Sequence, residues 1–324
     1  MHDHGSLPAL GWSEFFTTWS LQPVWLLAVV VIGAGYLTLR NAAGAASTVK
    51  GWRVASFLTG LGLMYVVIAS AINAYAMALA WMHMVLHLTL IMVVPALLVL
   101  GHPLTVIAET GPRAERVMRS LPVTLLIHPV TGTLVYSVVI IGTHLSGFMD
   151  AMAQSVPLMV GEQVLYVVAG FLFLTSTIGE EKVRTDMPYL GRIALLVVGM
   201  VPDTIVGIVM LQSEHVLYPV YSAARPDWAP DAVKDIQTAG GLMWAAGDAG
   251  MMFLAIGLVI AVVSSAERRT KMTGRFLDGV RSTRLAQESA RGVPEGPAEP
   301  GSVDPDSDEA LDAYNAMLAR MNQQ

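Results

Sequence analysis

The sequence predicts an all-α polytopic membrane protein with seven transmembrane helices, N-terminus outside and C-terminus inside. Three observations lead to that fold class. The 324 residues are 54% hydrophobic and only 14% charged, with a mean hydropathy of +0.57. That is more apolar side chain than one soluble core of this size needs. Seven apolar runs approach or exceed the roughly 20 residues of a bilayer-spanning helix: 24–39, 52–72, 75–100, 123–144, 159–177, 193–211 and 241–263. The positive charges, finally, fall between alternate runs.

Arg40, Lys50 and Arg53 lie between the first and second runs, Arg113, Arg116 and Arg119 between the third and fourth, and Lys182, Arg184 and Arg192 between the fifth and sixth. The remainder lie beyond Ser264, so that of 19 Lys and Arg only Arg225 and Lys234 fall elsewhere. Lys and Arg are retained on the cytoplasmic side, which sets the orientation. No Lys or Arg precedes the first run, so the n-region of a secretory signal is missing and the first helix is expected to stay in the mature chain. The domain plan is an external segment 1–20, a transmembrane domain 21–265 and a cytoplasmic tail 266–324. Within the tail, 287–308 is rich in Pro, Gly, Ser and acidic residues and reads as a disordered linker. Leu311, Tyr314, Leu318 and Met321 then form one stripe of a short amphipathic helix.

Composition also excludes functions. There is no cysteine, which removes disulfides, CxxC redox chemistry and thiolate metal sites. The net charge of −6 owes much to the acidic tail. No basic patch is interleaved with aromatics, so nucleic acid is not an expected partner; membrane lipid is.

Taken in order, His2 and His4 read as solvated polar residues. The second and third runs form a tight hairpin carrying Met77, Met82 and Met84. The third run, WMHMVLHLTLIMVVPALLVLGHP, places His83 and His87 four residues apart. At about 100° per residue both imidazoles share one helix face, and ionisable side chains at membrane depth point to function. Pro95 withholds a donor from the Ile91 carbonyl, and a kink is expected there. His102 and His128 read as interfacial loop residues. The fourth run ends in IGTHLSGFMDAM, which brings His144 to the side of His83 and His87, followed by Met149, Asp150 and Met152. The fifth run opens at that level with Met159, Glu162 and Gln163. Asp203, after Pro202 in the sixth run, must be neutral, paired or facing a wet cavity. Loop 212–240 is expected to fold over the outer mouth. In the seventh run Asp248 lies about two turns below the boundary, with Met251 and Met252 at i+3 and i+4, and Gly247 and Gly250 permit close helix approach.

Three functions can be weighed on these residues. A copper site at the outer face would use His83, His87 and His144 with Asp248 or methionines such as Met251, because imidazole suits copper and thioether sulfur selects Cu(I). A haem cytochrome would pair His87 and His102 with His128 and His144. Sixteen residues turn His144 roughly 160° from His128, against one shared face. A retinal photoreceptor needs an intramembrane lysine, absent from the seventh run, and a ligand receptor has nothing specific behind it. No acid, base and nucleophile constellation marks an enzyme.

Several segments together resemble the CtaG family of seven-helix membrane proteins that assist cytochrome c oxidase assembly. They are WMHMVLHLTLIMVVPALLVLGHPL, THLSGFMDAM around His144, LYPVY at 217–221 and DIQTAGGLMW at 235–244. The resemblance covers about residues 20–265. It implies an assembly factor in a bacterial plasma membrane that helps place copper in the large subunit of a haem-copper oxidase. The residues themselves predict that His83, His87 and His144 share one metal, with Asp248 orienting an imidazole or binding directly. In that family histidines often open helix 5, where this chain has Met159 and Gln163, so its coordination is expected to differ. A non-metal scaffold for oxidase assembly is the alternative.

Overall fold

A computed structural model describes residues 7–44, 47–181, 187–223 and 225–290 together with Asp312 and Asn315; for 265–290 it describes the backbone alone. His2, His4, Lys182, Arg184 and the stripe Leu311, Tyr314, Leu318 and Met321 lie outside the described residues. Within them the chain is helical, with no strand. The elements are α1 Trp12–Thr17, α2 Pro23–Ala43, α3 Gly51–Ala69, α4 Ala71–Ala76, α5 Ala80–Leu88, α6 Val94–Leu100, α7 Pro103–Ala108, α8 Pro112–Met118, α9 Leu121–Leu126, α10 Pro129–His144, α11 Phe148–Ala153, α12 Val156–Thr177, α13 Tyr189–Leu211, α14 Val220–Ala223 and α15 Ala232–Ala290. Contacts divide the chain into two units, one to Val259 and one from Ile260.

Among the described residues, six helices are long and apolar enough to cross a membrane: α2, α3, Ala80–Leu100, α12, α13 and Ala232–Ser264. The expected run 123–144 is corrected. It is broken at His128, and only the 16 residues of α10 form its apolar helix, about 24 Å at 1.5 Å per residue. Proline is the cause. Pro129 pushes the preceding residue out of the α region, and His128 sits at φ −66°, ψ 139° with Nδ1 accepting the Val130 N–H at 3.3 Å.

Ala80–Leu100 is the most enclosed of the six spans. It packs against α3 and α12, while α10 packs against α12 and α13. The break expected near Pro95 is a π turn over Thr89–Val93, closed by the Val94 N–H on the Thr89 carbonyl. Pro95 has no N–H to give Ile91, and the freed Ile91 carbonyl faces Gly170 of α12. A Cβ at residue 170 would collide with that oxygen, so only glycine lets the two backbones come so near.

The end carrying His102 is held by polar contacts. His102 adopts a left-handed backbone, φ 53° and ψ 50°, to turn the chain into α7. Tyr36 stacks on Phe57 and donates to the Gly101 carbonyl at 2.7 Å. Arg53 donates to His102 Nε2, to the Leu100 carbonyl at 3.2 Å and to Glu180 at 3.0 Å. Burial first, and then the Arg53 charge, push the His102 imidazole down to about 4. Glu181 accepts the Leu104 N–H at 3.2 Å and the Thr105 N–H at 2.7 Å.

Candidate metal centre

At the other end, α5 presents His83 and His87 one turn apart, with ring centroids 4.0 Å from each other. The four-residue spacing makes them neighbours. Opposite them α12 supplies Glu162. Its Oε2 lies 3.7 Å from His83 Nε2, and its Oε1 lies 3.4 Å from His87 Nε2. Among the described residues these three form the group whose ligand atoms all fall within 4.8 Å of one another. Each is at most 4% exposed.

His144 stands beside them at the end of α10, its ring centroid 5.4 Å from that of His87. Its Nδ1 is 2.9 Å from the Ile140 carbonyl, which can only accept. Nδ1 therefore carries the proton and Nε2 keeps a lone pair, a tautomer fixed in the way that metal-binding imidazoles are fixed. Tyr166 stacks on His87 at 4.1 Å, and its hydroxyl shares a 2.6 Å hydrogen bond with Thr143.

None of the ring nitrogens of His83 and His87, nor His144 Nε2 or Glu162 Oε1, makes a hydrogen bond, although all are buried. The Glu162 contacts are at ion-pair distances and are not hydrogen bonds. Leaving a buried polar group unsatisfied costs about 1–3 kcal/mol, and native interiors rarely tolerate several together. The donor set is two or three imidazoles and a carboxylate with free lone pairs. That is the chemistry of a copper or zinc position, and the residues present fit such an ion.

The segment after α13 closes over this group. Tyr221 packs 6.3 Å from the His83 ring and donates to the Ala76 carbonyl at 3.0 Å. Tyr218 donates to the His144 carbonyl at 3.1 Å, and the Val220 N–H donates to Asp150 at 3.0 Å. Asp235, from the start of α15, accepts the Ala80 N–H at 2.9 Å and the Trp81 N–H at 3.2 Å, and Arg225 lies 3.7 Å away. A carboxylate on the first N–H groups of α5 satisfies donors that no helix can satisfy internally.

The structure thus brings His83 and His87 together and sets His144 next to them. Asp248 instead accepts the Thr204 hydroxyl at 3.1 Å and is not in the close group, and Met251 is buried in the core. Gln163 donates to Asn73 at 3.1 Å, and Met159 packs against the core. His102 heads α7 and His128 heads α10, and neither is in the close group. Glu162 is not among the ligands that the sequence points to. A lone carboxylate one turn inside an apolar helix was the available signal.

The chain is 27% identical over 333 residues to uncharacterized proteins of Mycobacterium bovis and Mycobacterium tuberculosis, covering 96% of this chain and 45% of theirs. It is 25% identical over 327 residues to an uncharacterized protein of Mycobacterium leprae, covering 95% of this chain and 45% of that one. It therefore spans about half the length of the curated relatives it matches. No solved structure matches it. The family described as cytochrome c oxidase caa3 assembly factor matches residues 30–265, which include every helix that builds the histidine group, and the chain belongs to that family.

Proposed function

We propose that this protein assists assembly of a haem-copper oxidase by holding copper at the His83 end and passing it to the oxidase large subunit. Family membership supports the assembly role and suggests a non-catalytic one. The copper reading is carried by one observation: the buried, unpartnered nitrogens of His83 and His87 facing Glu162. A metal would bond one nitrogen of each imidazole together with the carboxylate, whereas a wholly structural role leaves the desolvation of all three groups uncompensated. His83, His87 and Glu162 are the ligands of this position, with His144 adjacent and Asp248 and Met251 outside it. By the distribution of Lys and Arg this end faces outward and the C-terminus faces the cytoplasm of a bacterial plasma membrane, with α10 crossing as the seventh helix.

A site assembled from three side chains can release its cargo more readily than a closed cage. The test is copper content of the purified full chain after anaerobic loading with Cu(I) and desalting, for the wild type, His87→Ala and Glu162→Gln, with oxidase activity of the producing cells. Bound copper is expected to fall at least two-fold, and active oxidase at least ten-fold, in both variants. Unchanged copper and oxidase in His87→Ala would overturn the proposal and leave a scaffold without metal.

A further inference from the structure

Directly below the His83, His87 and Glu162 group is a small cavity that none of the close ligands except His87 touches. Its walls include Met84 and His87 of α5, His144 of α10, Tyr166 of α12, Asp203 of α13 and Met243 of α15. Five helices meet there. Two of its polar walls are unsatisfied. His144 Nε2, whose lone pair is fixed by the Nδ1 bond to Ile140, has no partner; nor has Asp203 Oδ1. Both residues are at most 2% exposed. Asp203 Oδ2 accepts the Tyr136 hydroxyl at 2.6 Å, yet among the described residues no Lys or Arg pairs with this carboxylate.

We infer that this cavity is a second metal position, specific for a soft monovalent cation. His144 Nε2 and the thioethers of Met84 and Met243 are its ligands, and Asp203 is its balancing charge. The chemistry differs from that of the neighbouring group. Two imidazoles and a carboxylate accept divalent and monovalent ions alike, but thioether sulfur selects Cu(I) and its congeners. A single positive charge is also what one unpaired carboxylate can balance at membrane depth. His87 forms the wall between the two positions, so a ligand exchange at that ring would move the ion from one to the other without passing through lipid. The inference rests on the proposed copper role and deepens it: one chain carries two ions, and the deeper one is reached only in the Cu(I) state.

The experiment uses Ag(I), a monovalent soft ion that stays in one oxidation state, on the full chain in detergent. Silver retained after desalting is counted, and X-ray absorption reports sulfur neighbours. The wild type is expected to hold two equivalents with sulfur in part of the coordination. Met84→Leu/Met243→Leu, a volume-conserving change, is expected to hold one and lose the sulfur signal. His83→Gln/Glu162→Gln is expected to hold one and keep it, and Asp203→Asn to weaken only the sulfur-bound ion. Circular dichroism confirms that each variant is folded. One equivalent in the wild type, with no sulfur neighbour and no change in Met84→Leu/Met243→Leu, would overturn the second position and leave the proposed function standing. No silver in any folded sample would overturn both.

Discussion

Single residues at the two ends of the bundle do different work. Asp235 joins α15 to the first turn of α5, and the donors it satisfies are the Ala80 and Trp81 N–H groups at the base of the histidine helix. Asp235→Asn keeps one acceptor but loses the charge that faces Arg225 and the helix dipole. It is expected to cost roughly 1 kcal/mol, seen as a lower melting temperature in detergent, and to weaken copper retention, because His83 follows Trp81 by two residues. His102 is held neutral by burial and Arg53, at about 4 instead of 6.5. A histidine depressed in the folded state takes up its proton more readily when unfolded. Stability is therefore full above pH 6.5 and falls as the pH drops from there towards 4. A thermal melt of the wild type between those limits should show a steeper loss than His102→Gln, in which this group does not titrate.

Helices meet here through glycine. In α13 and α15 the backbones touch where a Cβ on Gly207 would be 2.9 Å from the Gly240 carbonyl and one on Gly240 would be 2.6 Å from the Gly207 carbonyl. That approach sets Asp203 next to Gly247, about 3.5 Å from where a Cβ would stand. Gly250, expected to permit close packing, faces the Met92 sulfur. Gly240→Ala must separate α13 from α15 or bend one of them. A cost of about 1–3 kcal/mol is expected from such overpacking, readable as a lowered melting temperature, together with loss of the Met243 side of the cavity. At Gly170 the same change meets the Ile91 carbonyl, which cannot retreat without closing the π turn. Gly170→Ala is expected to be the more damaging of the two in the same melt. The spacing of His83 and His87 was legible in the sequence because it lies within one helix. The π turn was legible only as a disturbance at Pro95, because the sequence does not say whether a missing N–H is answered by bending or by widening the helix.

For the molecule as a whole, the side chains of the two proposed metal positions come from residues 83–243, wholly within the unit that ends at Val259. The family match covers the same ground. A chain ending at Ser264 is therefore expected to retain as much copper per mole as the full chain, measured after the same loading and desalting. A copper loss of more than two-fold in that shortened chain would mean that the tail contributes to the centre.

Composition and the distribution of charge by themselves determined the helical membrane class, the i, i+4 histidine pair and, through four short motifs, the family. These are local properties: apolar length, helical phase and the residues of contiguous segments. Tertiary structure decided what meets the pair. His144 approaches from α10 and Glu162 from α12, while Asp248, at a suitable depth, turns to Thr204 instead. Depth along a helix can be read from sequence, but the direction a helix turns towards its neighbours is set by packing, here by glycine contacts and a π turn. That rotation put Glu162, and not Asp248, opposite His83 and His87.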